Sequence, residues 1–218
     1  MSTAGERHIT QSADGSTTLW VPGLDEHYHS IHGALTESQH VFIEAGLKAM
    51  GKSSVRILEV GLGTALNARL TLDQAQQDGI TIWYDALEKF PLNKEEIATI
   101  GLQGMTKEAP FLSATPGDIT QINEQFTFRL LVEDLKTFEG EQDSYDLIYF
   151  DAFAPSAQPD LWTDFVFENM YGLLKPGGAL VTYCAKGVVK RSMKGVGFEV
   201  EALPGPPRKS EMTRAWKR

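Results

Sequence analysis

Two short runs hold the residue types that could do chemistry. Glu59-Val60-Gly61-Leu62-Gly63-Thr64-Ala65 follows the apolar stretch Val55–Leu58, and Asp151-Ala152-Phe153-Ala154-Pro155 follows Tyr145–Phe150. Each apolar stretch reads as a buried strand, so both runs are loops at strand ends. In an open parallel sheet, ligands bind beyond the carboxyl ends of strands, where the strand order reverses. A glycine loop and an acidic loop at two such ends predict one shared pocket, and with it an enzyme.

Gly61 and Gly63 let the backbone approach a ligand closely, and the turn through Thr64 opens a helix whose first amides attract electronegative groups. The third glycine of a dinucleotide fingerprint is missing, because Leu66 holds its position. Glu59 adds negative charge where a pyrophosphate would lie. A carboxylate there suits a cationic ligand, and S-adenosylmethionine carries both an ammonium and a sulfonium. Glu88 ends the stretch Ile80–Leu87 and stands where a ribose-binding acid belongs in nucleotide-binding βαβ units. Asp134 follows Thr127–Val132 and is a candidate acceptor for an adenine amino group. Asp151, between an apolar strand and the aromatic Phe153, can orient an amine or take its proton as a general base. Asp118 and Asp160 read as helix caps, and Trp162 and Phe165 as core at helical spacing.

These residues need a frame, and the chain alternates in the way that supplies one. A β-like run at Thr17–Val21 and a helical stretch over 36–50 come first. The pattern then predicts strand 55–60, helix 65–77, strand 80–87 and helix 93–102. Residues 118–126 read as a helical piece, followed by strands 127–132 and 145–150, helix 160–174, a turn over Lys175-Pro176-Gly177-Gly178, and strand 179–183. A short helix over 188–194 precedes strands 198–203 and 211–216. The fold class is α/β, with right-handed crossovers, a mostly parallel twisted sheet carrying helices on both faces, and a C-terminal antiparallel hairpin. Residues 1–50 are expected to form a β/helical extension packed on a core domain of residues 51–218.

Composition narrows the class. The 218 residues are 42% hydrophobic and 22% charged, enough for one substantial core. A lone cysteine, Cys184, excludes a disulfide framework and a cysteine metal site. His27, His29 and His32 read as a solvated loop, so no metal is expected. With neither an apolar leader nor a membrane-length stretch, the expectation is a cytoplasmic protein with no membrane partner. The net charge of −9 hides an asymmetry: residues 175–218 hold ten Lys or Arg against three Glu, leaving −16 on the rest. A basic third on an acidic body is what phosphate docking needs.

With these residues in view, the chain resembles the MnmD methyltransferases, equivalent to the N-terminal domain of bifunctional MnmC. The resemblance runs over most of the chain. It takes in Asp25-Glu26, Tyr28, Ser30, Gly33-Ala34, Glu37-Ser38 and Val41-Phe42, then the glycine loop through Asn67. It continues through Glu88-Lys89-Phe90-Pro91-Leu92 and Asp151 to Trp162, and ends in Lys175-Pro176-Gly177-Gly178 and Arg208-Lys209-Ser210-Glu211-Met212. The glycine loop and the Pro-Gly-Gly turn are common to many class I methyltransferases; the runs Glu88–Leu92, Asp151–Trp162 and Lys209–Met212 together are specific.

The resemblance implies a Rossmann-like class I fold and methyl transfer from S-adenosylmethionine. The acceptor would be the aminomethyl nitrogen of 5-aminomethyl-2-thiouridine at the tRNA wobble position. It makes Asp151 the catalytic residue and gives Glu59, Gly61, Gly63, Glu88 and Asp134 to the cofactor, with Thr64, Asn67 and Lys89 beside them as further cofactor candidates. Phe153 and Pro155 would meet the base, and Lys186, Lys190, Arg191, Lys194, Arg208 and Lys209 the anticodon stem-loop. A separate FAD-dependent enzyme would supply the aminomethyl group. Rival readings are a small-amine methyltransferase, an aminopropyltransferase, and a non-catalytic module that keeps the cofactor pocket. Two departures stand out: Ala65 replaces a usual glycine, tolerable if its backbone is helical, and Ser210 replaces a basic residue.

Overall fold

The architecture is that of a computed structural model, which describes residues 7–11, 17–28, 33–102 and 107–218. Strands β1 (His8–Gln11), β2 (Thr17–Val21) and β3 (Glu26–His27) pair antiparallel in a small sheet. A helical segment follows, from α1 (Ala34–Ser38) through a π-helical stretch, Gln39–Leu47, to α2 (Lys48–Met50). Gly51 ends it in the left-handed conformation, the usual helix stop.

The remaining elements are β4 (Ser54–Val60), α3 (Leu66–Asp78), β5 (Thr81–Leu87), α4 (Lys94–Leu102), α5 (Ala109–Leu112), β6 (Ile119–Asn123), β7 (Phe126–Leu131) and β8 (Tyr145–Phe150). After these come α6 (Asp164–Leu173), β9 (Leu174–Thr182), α7 (Gly187–Val196), β10 (Glu199–Pro204) and β11 (Glu211–Trp216). Among the described residues, eight strands form the main sheet in the order β10-β11-β9-β8-β4-β5-β7-β6. The five central strands are parallel; at the edges β6 pairs antiparallel with β7, β11 with β9, and β10 with β11. From β4 the chain builds outward through β5 and β7, then returns to place β8 on the other side of β4. The strand order therefore reverses between β4 and β8, which sets their carboxyl ends side by side.

Burial on both faces explains the apolar strands. Along β4, Val55 and Ile57 enter the core layer with Phe42, Leu47 and Ala68, while Leu58 and Val60 enter the layer with Val166, Phe167, Met170 and Met193. Each such fully buried large side chain contributes roughly 2 kcal/mol. Leu19, from the N-terminal sheet, belongs to the first layer. Asp85 is 0% exposed in the middle of β5, and Arg129, Arg56, Trp83 and Tyr145 all donate to its carboxylate. That full complement makes it structural.

Several local readings change. Residues 118–126 hold a strand, β6, hairpinned onto β7, and Asp118 lies in the turn before it instead of capping a helix. The 175–178 turn is absorbed into β9, where Gly177 and Gly178 exchange backbone bonds with Lys217. Asp160 sits in a 3-10 turn, Pro159–Leu161, and Thr163 caps α6 by accepting from the Val166 amide. That start sets the helix phase: Val166, Phe167, Met170 and Leu173 face inward, Trp162 is buried just before the helix, and Phe165 is 64% exposed. His29 and His32 lie outside the described residues. Among those residues no helix is long and apolar enough to cross a membrane.

Candidate active site

The carboxyl ends of β4, β5, β7, β8 and β9 surround a cavity of about 790 Å3. That is the size of a small-molecule or cofactor site. Gly61 (φ +89°) and Gly63 (φ +54°) line it, both in the left-handed region that favours glycine. A Cβ at Gly61 would lie 2.8 Å from the Asp151 carbonyl oxygen, so the two loops touch backbone to backbone. The Asp151 amide donates to Val60 O at 3.0 Å, and the Gly61 amide to Leu87 O at 2.9 Å. Ala65 departs from its expected geometry. It adopts φ +63° at the start of α3, so its backbone is left-handed, not helical, although it is fully buried.

Asp151 lies at the cavity wall and is partly buried. Asn67, on the first turn of α3, donates from Nδ2 to Asp151 Oδ2 at 2.8 Å and to Glu59 Oε1 at 2.9 Å. One amide thus joins two carboxylates. Glu59 is fully buried, and desolvation pushes its carboxyl well above the usual range; the Asn67 bond opposes this and Asp151 adds to it. Burial also pushes the Asp151 carboxyl up, to about 7; Asn67 opposes, Glu37 adds and Lys209 opposes. A carboxyl that titrates near neutrality beside a cavity is suited to moving a proton.

Glu88, at the end of β5, accepts from the Gly63 amide at 3.3 Å and the Phe90 amide at 2.8 Å. Lys89 Nζ pairs with Asp134 Oδ2 at 2.7 Å. Desolvation would raise the Asp134 carboxyl, but the bonds from Lys89 and the Lys136 amide hold it below the usual range. Phe153 forms a wall with Tyr28 edge-on at 5.2 Å, and its carbonyl accepts from Trp162 Nε1.

The cavity therefore gathers Gly61, Gly63, Glu88, Lys89, Asp134, Asp151, Phe153 and Lys209 from the residues picked out in the sequence. Glu59, Thr64 and Asn67 are buried and do not line it, nor does Pro155, which lies in the turn closed by the Ala157 amide on Ala154 O. Of the basic residues, Lys186, Arg191 and Lys194 are exposed. Lys190 is paired with Glu211, and Lys209 pairs with Glu37 at the cavity instead of standing on an outer face. Arg208, in the loop before Lys209, has φ +73°.

Among the lining residues to which sequence reasoning gave no role are Tyr28, Glu37 and Tyr183. Tyr183 follows β9, so the strand-end rule that selected Asp151 would also have found it.

The residues present fit S-adenosylmethionine. Seven carboxylates line the cavity against three lysines, a balance that favours a cationic ligand, and each Glu88 oxygen accepts one backbone amide and keeps a lone pair for a ribose hydroxyl. The family described as S-adenosyl-L-methionine-dependent methyltransferase matches residues 82–218. The chain belongs to that family. It is an S-adenosylmethionine-dependent methyltransferase.

Among curated relatives, the tRNA 5-methylaminomethyl-2-thiouridine biosynthesis bifunctional protein MnmC of Ralstonia nicotianae is 32% identical over 208 residues, covering 88% of this chain and 32% of that protein. The protein of the same name from Leptospira interrogans is 32% identical over 207 residues, covering 87% of this chain and 32% of the relative. The chain thus spans about a third of the length of these relatives. Crystal structures share the fold. MnmC2 of Aquifex aeolicus superposes with a TM-score of 0.79 at 24% identity, covering 98% of this chain and 71% of that one. Spermidine synthase of Thermotoga maritima gives 0.63 at 12%, covering 100% and 70%.

Proposed function

We propose that this methyltransferase N-methylates the aminomethyl group of 5-aminomethyl-2-thiouridine at the tRNA wobble position, giving 5-methylaminomethyl-2-thiouridine. The observation that carries the reading is Asp151: a carboxyl titrating near 7, against the glycine loop, in an acidic cavity. A free alkylamine is mostly protonated at neutral pH and cannot attack while it is. Asp151 accepts one proton from the ammonium and frees the nitrogen lone pair, while Asn67 holds the carboxylate in place. S-adenosylmethionine, when bound, supplies an electrophilic methyl group. The freed nitrogen would form the new bond to that carbon as the carbon–sulfur bond breaks, its electron pair going to sulfur. Orientation contributes most of the rate, and the rigid backbone contact between the two loops serves it.

Support for the acceptor comes from the MnmC relatives and from the charge distribution. Lys186 precedes α7 just beyond β9, at the same end of the sheet as Asp151, with Arg191 one turn further on. We assign the anticodon stem-loop to this exposed basic surface and to the Arg208 loop, and the extruded base to Phe153. A FAD-dependent enzyme would supply the aminomethyl group, and the reaction would be cytoplasmic.

The test is incubation with methyl-labelled S-adenosylmethionine and tRNA bearing the aminomethyl uridine, read by nucleoside mass spectrometry. Labelled methylaminomethyl nucleoside that disappears in Asp151→Asn is the expected result. Cofactor binding with no label in tRNA would refute the acceptor and favour a small amine.

A further inference from the structure

Glu37 and Lys209 come from opposite ends of the chain and meet at the cavity. Lys209 Nζ, in the loop between β10 and β11, lies 2.8 Å from each oxygen of the Glu37 carboxylate on α1. The same ammonium stands 4.7 Å from the centre of the Tyr183 ring. Tyr183 is fixed there, because its hydroxyl donates to Ala152 O at 2.8 Å, next to Asp151 in the chain. A carboxylate and an aromatic face converging on one point make a seat for an alkylammonium ion. The Glu37 side chain is 16% exposed and that of Lys209 37%, so the carboxylate is the wall and the lysine the member able to withdraw. Both residues and Asp151 line one cavity.

Resting on the acceptor assigned above, we propose that Glu37 and Tyr183 form the binding site for the substrate ammonium, with Lys209 as its tethered stand-in. The incoming aminomethyl cation displaces Lys209 from Glu37 and the ring. It is then held beside Asp151, which takes its proton. Lys209, carried on the same loop as Arg208, swings outward to meet the RNA. A wobble uridine without an amine has no charge with which to displace the lysine, so the exchange selects the substrate.

Wild-type methylation of the aminomethyl tRNA is measured first. If the cofactor binds and no label transfers, the acceptor reading falls. With an active wild type, Glu37→Gln and Lys209→Met are compared. Glu37→Gln raises KM for the aminomethyl tRNA about tenfold, the loss of one charge-assisted contact. It leaves S-adenosylhomocysteine affinity unchanged and does not weaken binding of the same tRNA lacking the aminomethyl group. For the free nucleoside 5-aminomethyl-2-thiouridine, which offers no phosphate, Lys209→Met binds more tightly than wild type because the resident competitor is gone. A Glu37→Gln variant that weakens both tRNAs equally makes the pair a structural latch and overturns the inference. So does a Lys209→Met variant that binds the nucleoside no more tightly. If Glu37→Gln does not fold, the nucleoside measurement decides.

Discussion

Gly61 and Asp151 are in backbone contact: a Cβ on Gly61 would lie 2.8 Å from the Asp151 carbonyl oxygen. The residues are ninety apart in sequence and adjacent because β4 and β8 pair in parallel at the point where the strand order reverses. Movement in the glycine loop is therefore expected to reach Asp151, the proposed general base.

Gly61→Ala should damage both stability and turnover. The added methyl meets backbone, which cannot rotate away, and the residue must hold φ +89°. Roughly 2–3 kcal/mol of destabilisation is expected, with kcat falling more than tenfold. Denaturant melts and single-turnover rates check it; a wild-type kcat would show that the two loops move independently.

Ala65 tests the opposite case. Relief of its left-handed strain by Ala65→Gly, about 1 kcal/mol, is offset by the freer unfolded chain and the lost buried methyl, so stability should stay within about 1 kcal/mol. Ala65→Val has no such compensation at φ +63° and should cost more than 2 kcal/mol, roughly. Urea midpoints at constant m separate the two.

The rate should rise with pH through an acid limb near 7, since Asp151 must be deprotonated to accept a proton and its carboxyl is pushed up to about 7. Asn67→Ala removes a bond that lowers that value, so the limb should move to higher pH. A limb unmoved in Asn67→Ala would separate it from Asp151.

Linkage gives a stability counterpart. A carboxyl raised from an ordinary value near 4 to about 7 favours the fold fully below pH 4, loses that advantage between pH 4 and 7, and leaves a constant penalty above. Asp151→Asn should therefore melt higher than wild type at pH 8, by about 1 kcal/mol after allowance for partial exposure, with the difference vanishing near pH 4. Thermal melts at both pH values test the sign.

Lys186→Glu with Arg191→Glu should weaken tRNA binding at every wobble state and reduce the log–log salt slope by about 2. S-adenosylhomocysteine binding should be untouched. An unchanged slope would move the RNA to another face.

The sequence by itself determined most of the alternation of elements, the glycine loop after β4 and the acid after β8. All three are local: apolar runs of strand length, a residue without Cβ, and a carboxylate at the end of a run. It also carried the family, because the runs around Glu88, Asp151 and Lys209 are specific. The tertiary structure decided what joins across distance. Only pairing of β4 with β8 brings Gly61 to Asp151, only the start of α3 lets Asn67 bridge Asp151 and Glu59, and only the β10–β11 loop carries Lys209 to Glu37. Where local signals were weak, neighbours overruled them. Residues 118–126 became a strand because β7 offered an open edge, and Phe165 turned outward because Thr163 fixed the phase of α6. A short segment's preference is worth less than the hydrogen bonds and buried area a neighbouring element supplies, and those partners lie far along the chain.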